Sequence, residues 1–266
     1  MDTITVKLLF FSPTETTARI VSGIAQGIGP DMIHRIDLTA PDAKRGVVEP
    51  MRDELVIIGT PVYAGRVPAE AVRRLQLIKA DNTPAIVVVV YGNREFEDAL
   101  LELRDIVTEL GFRPIAGGAF IGEHSYSSDK TPIAPGRPDD RDMERARQFG
   151  ELIHEKLSRL HKLDDMPVLQ VPGNYPYVEW ERPPKMAPVT VESLCTLCAE
   201  CVAVCPTAAI AVEASVSTRK EACIRCSACI KKCPSGARKW ENARIEQIRK
   251  WLNENCGERK EPQIFL

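Results

Sequence analysis

Over the first 163 residues, continuous apolar runs alternate with apolar residues spaced at helical intervals. Thr3 to Phe11 is a β-branched and aromatic run that stops at Ser12-Pro13, as a buried strand does. Thr14 to Ile28 then places Ala18, Ile20, Val21, Ile24, Ala25 and Ile28 at helical spacing behind a first turn of hydroxyls and one acid. Met32 to Leu38 reads as a short strand, Asp42 to Arg52 as a connecting loop, and Leu55 to Gly59 as a fully buried strand closed by Pro61. A helix over Ala69 to Ile78 follows. Ala85 to Val90 is the most hydrophobic run, suited to the middle of a parallel sheet covered on both faces. Phe96 to Leu110 predicts an amphipathic helix stopped by Gly111, Arg113 to Ile121 a fifth strand, and Asp140 to Leu163 a long charged helix. This cadence predicts an α/β unit with a doubly wound, five-stranded parallel sheet.

The periodicity then breaks. Six prolines between 167 and 188 interrupt it, with Tyr175, Tyr177 and Trp180 among them, so a linker packed along a domain surface is expected. Beyond it, eight cysteines fall in two copies of one spacing. Cys195, Cys198, Cys201 and Cys205 read C-x2-C-x2-C-x3-C before Pro206, and Cys223, Cys226, Cys229 and Cys233 repeat the register before Pro234, each 28 residues later. Structural zinc usually takes two separated C-x2-C pairs with no third cysteine in step, and disulfides need an oxidising compartment that nothing in the sequence indicates. The run resembles that of bacterial ferredoxins, in which the fourth cysteine ligates the other cluster. That rule assigns Cys195, Cys198, Cys201 and Cys233 to one [4Fe–4S] cluster and Cys223, Cys226, Cys229 and Cys205 to the second. Cys256 is a spare thiol. Glu241 to Asn255 reads as a helix, and the tail ends apolar at Ile264 to Leu266.

Composition adds little. The 266 residues are 44% hydrophobic and 27% charged, ordinary values for a globular protein. No apolar run approaches membrane-spanning length, and the N-terminus lacks an export pattern, so a cytoplasmic protein without membrane insertion or nucleic-acid partner is expected. Net charge is −2. Its division between the two parts is too slight to argue docking.

In an open parallel sheet, ligands bind beyond the carboxyl ends of the strands. The first loop there, Ser12-Pro-Thr-Glu-Thr-Thr17, offers four hydroxyls and the free N–H groups of a helix start, a phosphate cradle. A simple helix cap needs only one hydroxyl. A second loop, Thr60 to Pro68, holds Tyr63, Ala64 and Gly65; a third is Tyr91-Gly-Asn-Arg94. Together they suit a flat ligand.

On the segments FSPTETTAR at 11–19, PVYAGRVP at 61–68, VYGNREFEDAL at 90–100, GRPDDRD at 136–142 and the doubled cysteine run, the chain resembles the EFR-type flavodoxin–ferredoxin fusion proteins (ferrodoxins) over nearly its full length. The resemblance implies FMN, with Ser12, Thr14, Thr16 and Thr17 at its phosphate, helped by the main chain of Glu15. It also implies Pro61, Tyr63, Ala64 and Gly65 near the isoalloxazine and Tyr91, Gly92, Asn93 and Arg94 along its other edge. Glu15 stands where flavodoxins usually have glycine. A carboxylate there repels a phosphate unless it turns away.

The expected domains are 1–163 flavodoxin-like, 164–188 linker, 189–240 a small α+β dicluster ferredoxin domain, and 241–266 a C-terminal helix and tail. No nucleophile–base pair, second metal site or paired carboxylates stand out. His34, His154 and His161 read as structural or solvated, whereas His124, in the loop after the fifth strand, is a candidate to approach the flavin. Arg225, Lys231 and Lys232 beside the cysteines are candidates to offset cluster charge. The expected function is electron transfer between clusters, FMN and redox partner proteins. The alternatives are a ferredoxin-domain flavin reductase acting on a small oxidant or metal ion, and a zinc-bound scaffold.

Overall fold

The computed structural model describes residues 5–43, 50–52, 54–159, 163, 166–179 and 184–266. His161, Trp180 and part of the loop expected over Asp42 to Arg52 lie outside the described residues. The first unit runs β1 (Thr5–Phe10), α1 (Thr16–Ile28), β2 (Met32–Asp37), β3 (Leu55–Pro61), α2 (Ala69–Leu75), β4 (Thr83–Tyr91), α3 (Ala99–Glu109), β5 (Phe112–Ile121) and α4 (Asp140–Ser158). The five strands pair in parallel in the order β5-β4-β3-β1-β2, the flavodoxin-like arrangement of a doubly wound sheet.

Both faces of the sheet are covered, which is why β3 and β4 have almost no polar positions. Leu9, Ile58, Val87 and Val89 meet Leu75, Leu100 and Leu103 on the face carrying α2 and α3. Leu8, Ile57, Ile86 and Val88 meet Ile20, Ile24, Phe149 and Ile153 on the face carrying α1 and α4. On the latter face the helices touch main chain to main chain. A Cβ on Gly27 would lie 1.9 Å from the Arg147 carbonyl oxygen, and one on Gly150 would lie 2.1 Å from that of Ile24. His154 Nδ1 sits 2.9 Å from the Ile28 oxygen and closes the end of α1.

The cysteine-bearing part contains β6 (Val189–Thr190), α5 (Glu200–Ala203), β7 (Ile210–Val212), β8 (Val216–Thr218), α6 (Ala228–Lys231) and β9 (Arg238–Lys239). After it come α7 (Ala243–Asn255) and β10 (Gln263–Phe265). The sheet has a sixth strand beyond the five expected, because β10 returns to pair antiparallel with β5. Ile264 and Phe265 alternate onto opposite faces, each packing against one of the two cores. The apolar tail therefore covers what would be an open sheet edge.

The proline-rich segment is anchored too. Asp98 accepts from the main-chain and side-chain nitrogens of Asn174 at 2.8 and 2.9 Å and from Val178 N at 2.7 Å. Tyr177 donates its hydroxyl to Asp105, and Arg66 stacks on its ring at 4.6 Å. These demands on Asp98 accompany the start of α3 at Ala99 rather than at Phe96: Glu97 is left-handed (φ 47°), which a helix interior does not accept. The cysteine module is thus held to the α/β unit through both of its flanking segments.

Candidate functional site: a loop cluster facing two cysteine cavities

The two cysteine runs are structural copies. Leu197 and Arg225 have φ of 55° and 59°, Ala199 and Ser227 both have 61°, and Ala208 and Gly236 have 49° and 64°. Left-handed residues at matched places turn consecutive N–H groups inward, and most here are non-glycine, which is strained unless the surroundings hold them. Cys195, Cys198, Cys201 and Cys233 line one cavity. Cys205, Cys223, Cys226 and Cys229 line the other. Each cavity takes three cysteines from one run and the last cysteine from the other. Among the described residues, no three His, Cys, Asp or Glu side chains gather closely enough to hold a single metal ion. The donors around each cavity are four soft sulfurs within a largely apolar wall, which fits an iron–sulfur core.

Main-chain donors already point at the sulfurs. Ala209 N reaches Cys205 Sγ at 3.2 Å, and the hydroxyls of Thr207 and Ser235 lie 3.8 and 3.7 Å from Cys205 and Cys233. Burial pushes the free thiols of Cys226 and Cys229 up to about 12 and about 11, so metal charge is needed to hold them as thiolates at neutral pH. Burial also acts on Cys233, but N–H groups from Arg238, Ala237 and Ser235 and the Ser235 hydroxyl outweigh it, and its thiol lies below the ordinary range.

The cavities differ in depth. Cys198 is exposed, flanked by Leu194 and Leu197, which are 44% and 45% exposed. The Cys223 set faces inward. Ile224 packs on the core of the α/β unit, and the buried Arg74 guanidinium donates to Glu70, to the carbonyls of residues 38–40 and to the Pro206 carbonyl. Helix α6 lies over the loops after β1 and β5: Lys232 Nζ meets Glu15 at 2.6 Å, and Lys231 pairs with Glu123.

In the first loop, Ser12 Oγ accepts from Ala18 N at 3.0 Å and so caps α1, while its own N–H donates to Thr39. Thr14 and Thr16 hydroxyls lie 3.5 Å apart. Thr17 Oγ1 is buried without a partner among the described residues, as is Thr60 Oγ1 at the end of β3. Orphaned hydroxyls at this place fit a phosphate-bearing ligand. Glu15 adopts φ 65°, the left-handed conformation glycine would take, and its carboxylate turns outward to Lys232.

The second loop is a tight reversal after Pro61, with Tyr63 and Arg66 exchanging main-chain bonds around left-handed Ala64 and Gly65. Tyr63 reaches toward the cysteines. Burial, then Cys226, Tyr126 and Cys223, raise its hydroxyl well above the ordinary range. The side chains of the third loop are committed elsewhere. Tyr91 is buried against Phe96 at 5.5 Å, Asn93 donates to the carbonyls of Cys256 and Glu258 at 2.7 and 2.8 Å, and Arg94 pairs with Glu97. What this loop offers a flat ligand is main chain.

His124 packs on Gly92, where a Cβ would lie 2.4 Å from its ring, and its Nδ1 accepts from Tyr126 N. Burial, then Arg94 and Lys231, push its imidazolium down to about 4, so the ring is neutral. Tyr126 packs between His124, tilted at 5.3 Å, and Trp240, edge-on at 5.7 Å. Neither Tyr126 nor Trp240 carries a motif, and sequence reasoning missed both. The GRPDDRD segment proves structural: Arg137 pairs with buried Asp142, Asp139 and Asp142 form a capping box for α4, and Arg137 also holds the Lys260 carbonyl at 2.9 Å.

Residues 187–234 match the 4Fe-4S dicluster domain family. No curated protein sequence matches the chain. Similar solved structures include a flavodoxin from the domain Archaea (13% identity, 59% of this chain and 100% of that one, TM-score 0.38). A Fusobacterium nucleatum flavodoxin bound to flavin mononucleotide is another (17%, 57% and 98%, TM-score 0.39). A third is the rubredoxin oxygen:oxidoreductase of Desulfovibrio gigas (16%, 58% and 36%, TM-score 0.41). An α/β unit with the flavodoxin strand order, followed by a 4Fe-4S dicluster domain, gives the chain the layout of a flavodoxin–ferredoxin fusion.

Proposed function

We propose that the chain is an electron-transfer flavo-iron–sulfur protein, holding FMN and two [4Fe–4S] clusters and serving partner redox enzymes. When bound, flavin exchanges one or two electrons and each cluster one, so the chain joins a one-electron route to a two-electron centre. The observation that carries the reading is the docking: the segment bearing Cys229 and Cys233 lies on the first loop, where the FMN phosphate is expected, through Lys232–Glu15, and on the loop after β5 through Lys231–Glu123. Thr14, Thr16 and Thr17, with the Ser12 hydroxyl and main chain of the first loop, would hold the phosphate. Half-buried Tyr63, His124 and Tyr126 would line the way between the third loop and the Cys223 set. The exposed rim at Leu194, Leu197 and Cys198 is the side a partner protein would approach.

Protein purified anaerobically should absorb broadly near 400 nm and contain about eight iron, eight sulfide and one FMN per chain. Colourless protein, or zinc in place of iron, defeats the reading. A second reading has its own support. A cleft of about 630 Å³ between the units is lined by Tyr63, Arg73, Pro206, Cys223 and Arg225, space for a small oxidant in a flavin reductase. Steady-state turnover separates them: saturable reduction of one small oxidant favours the reductase, and slow, unsaturable reduction of many favours the carrier.

A further inference from the structure

Among the described residues, three arginines are buried. Arg74 pairs with Glu70 and Arg137 with Asp142; Arg238, 3% exposed, meets no carboxylate among the described residues. Its guanidinium donates to the hydroxyls of Thr190 at 2.6 Å and Thr218 at 2.9 Å, and its Nε is buried without a partner. A buried positive charge held only by neutral groups is unfavourable unless negative charge stands nearby.

The sulfurs supply the place for that charge. Arg238 lines the cavity of the Cys195 set, and its main-chain N–H bonds Cys233. Its guanidinium also approaches Cys229 Sγ of the other set at 3.8 Å. It therefore stands between the two cavities. The lysines singled out from the sequence are different: Lys231 and Lys232 are partly exposed and already paired with Glu123 and Glu15.

The repeat shows that packing does not require arginine here. The position 28 residues earlier is Ile210, buried in a small apolar cluster with Cys201, Cys205 and Cys229. One repeat fills this position with hydrocarbon and the other with a fixed cation.

We infer that Arg238 is a shared counter-ion for the two cysteine cavities, a positioning charge that raises the reduction potential of both clusters. The inference rests on the iron–sulfur reading above. A cubane bound by four thiolates carries net negative charge and gains one more unit on one-electron reduction. A nearby fixed cation in a poorly solvated site favours the reduced form.

The test compares anaerobically purified wild type with Arg238→Met and Arg238→Lys, each assayed for iron and sulfide and titrated potentiometrically by electron paramagnetic resonance. In Arg238→Met, at one fixed poise, the reduced-to-oxidised ratio of both clusters should fall at least about tenfold, or 59 mV for one electron. Arg238→Lys should keep most of the wild-type potential, and raised salt should leave the difference between wild type and Arg238→Met intact, because a buried charge is poorly screened. If Met prevents loading, Arg238→Gln, which can still hydrogen-bond Thr190 and Thr218, carries the same measurement. Unchanged potentials in a fully loaded variant overturn the counter-ion, and a shift in one cluster alone overturns its sharing. Wild type without iron and sulfide overturns the cluster reading itself and the inference with it.

Discussion

The carboxylate of Glu15, at the tip of the first loop, lies 2.6 Å from the ammonium of Lys232, the residue before Cys233. The acid that stands where flavodoxins usually have glycine thus turns outward and ties the loop to the cysteine module. Both side chains are substantially exposed, at 63% and 37%, so the pair contributes at most about 1 kcal/mol to stability. Its expected role is alignment of the loop with the cysteine module. Lys232→Glu should leave the melting temperature nearly unchanged yet slow the exchange between flavin and cluster absorbance seen by stopped flow. Adding Glu15→Lys should restore it. Equal rates in all three proteins would remove the alignment role.

Cys233 lies with Cys195, Cys198 and Cys201, although it belongs to the second run. Cys233→Ser should therefore damage the cluster held mainly by the first run. Iron content should fall toward four per chain, with the signal of the Cys223 set retained. Loss confined to the latter would reverse the pairing.

Asp142 is fully buried against Arg137, whose guanidinium also holds the carbonyl of Lys260. Arg137→Ala leaves that carboxylate short of its main partner, with Arg259 at 3.3 Å as partial relief. A loss of roughly 3 kcal/mol is expected, the low end for a broken buried pair. Thermal unfolding of the loaded protein reads it, and faster proteolysis of the C-terminal segment should accompany it as β10 loosens from β5.

His124 is held neutral in the fold, with its imidazolium near 4 against an ordinary value of about 6.5. The unfolded chain binds more protons in that window, so stability rises with pH through it. The contribution is complete above about pH 6.5 and lost as pH falls toward 4, amounting to ~3 kcal/mol at most. Wild type should therefore lose melting temperature between pH 7 and 5 more steeply than His124→Gln. Parallel curves would place the titration elsewhere.

Much of this was legible in one dimension because the causes are local. Continuous apolar runs give strands covered on both sides, helical spacing gives the covering helices, and the 28-residue register of the cysteines gives two matched loops. The start of α1 behind the hydroxyl-rich first loop was legible for the same reason, since Ser12 and the threonines lie next to the helix they begin. Boundaries slipped where a distant partner competes, as at Asp98, whose carboxylate gathers donors from the linker.

The remainder depended on contacts between residues far apart in the chain, which no spacing encodes. Asn93 and Tyr91 read as ligand residues by their loop, yet one clasps the C-terminal segment and the other fills the core. The tail read as merely apolar and becomes the sixth strand, because an uncovered sheet edge and two apolar cores lie within its reach. Sequence alone determined that two four-cysteine sets and a hydroxyl-rich loop exist. Tertiary structure decided that Lys232 meets Glu15 and that Arg238 lies buried between the sets, since charge and burial become specific only when distant segments are packed together.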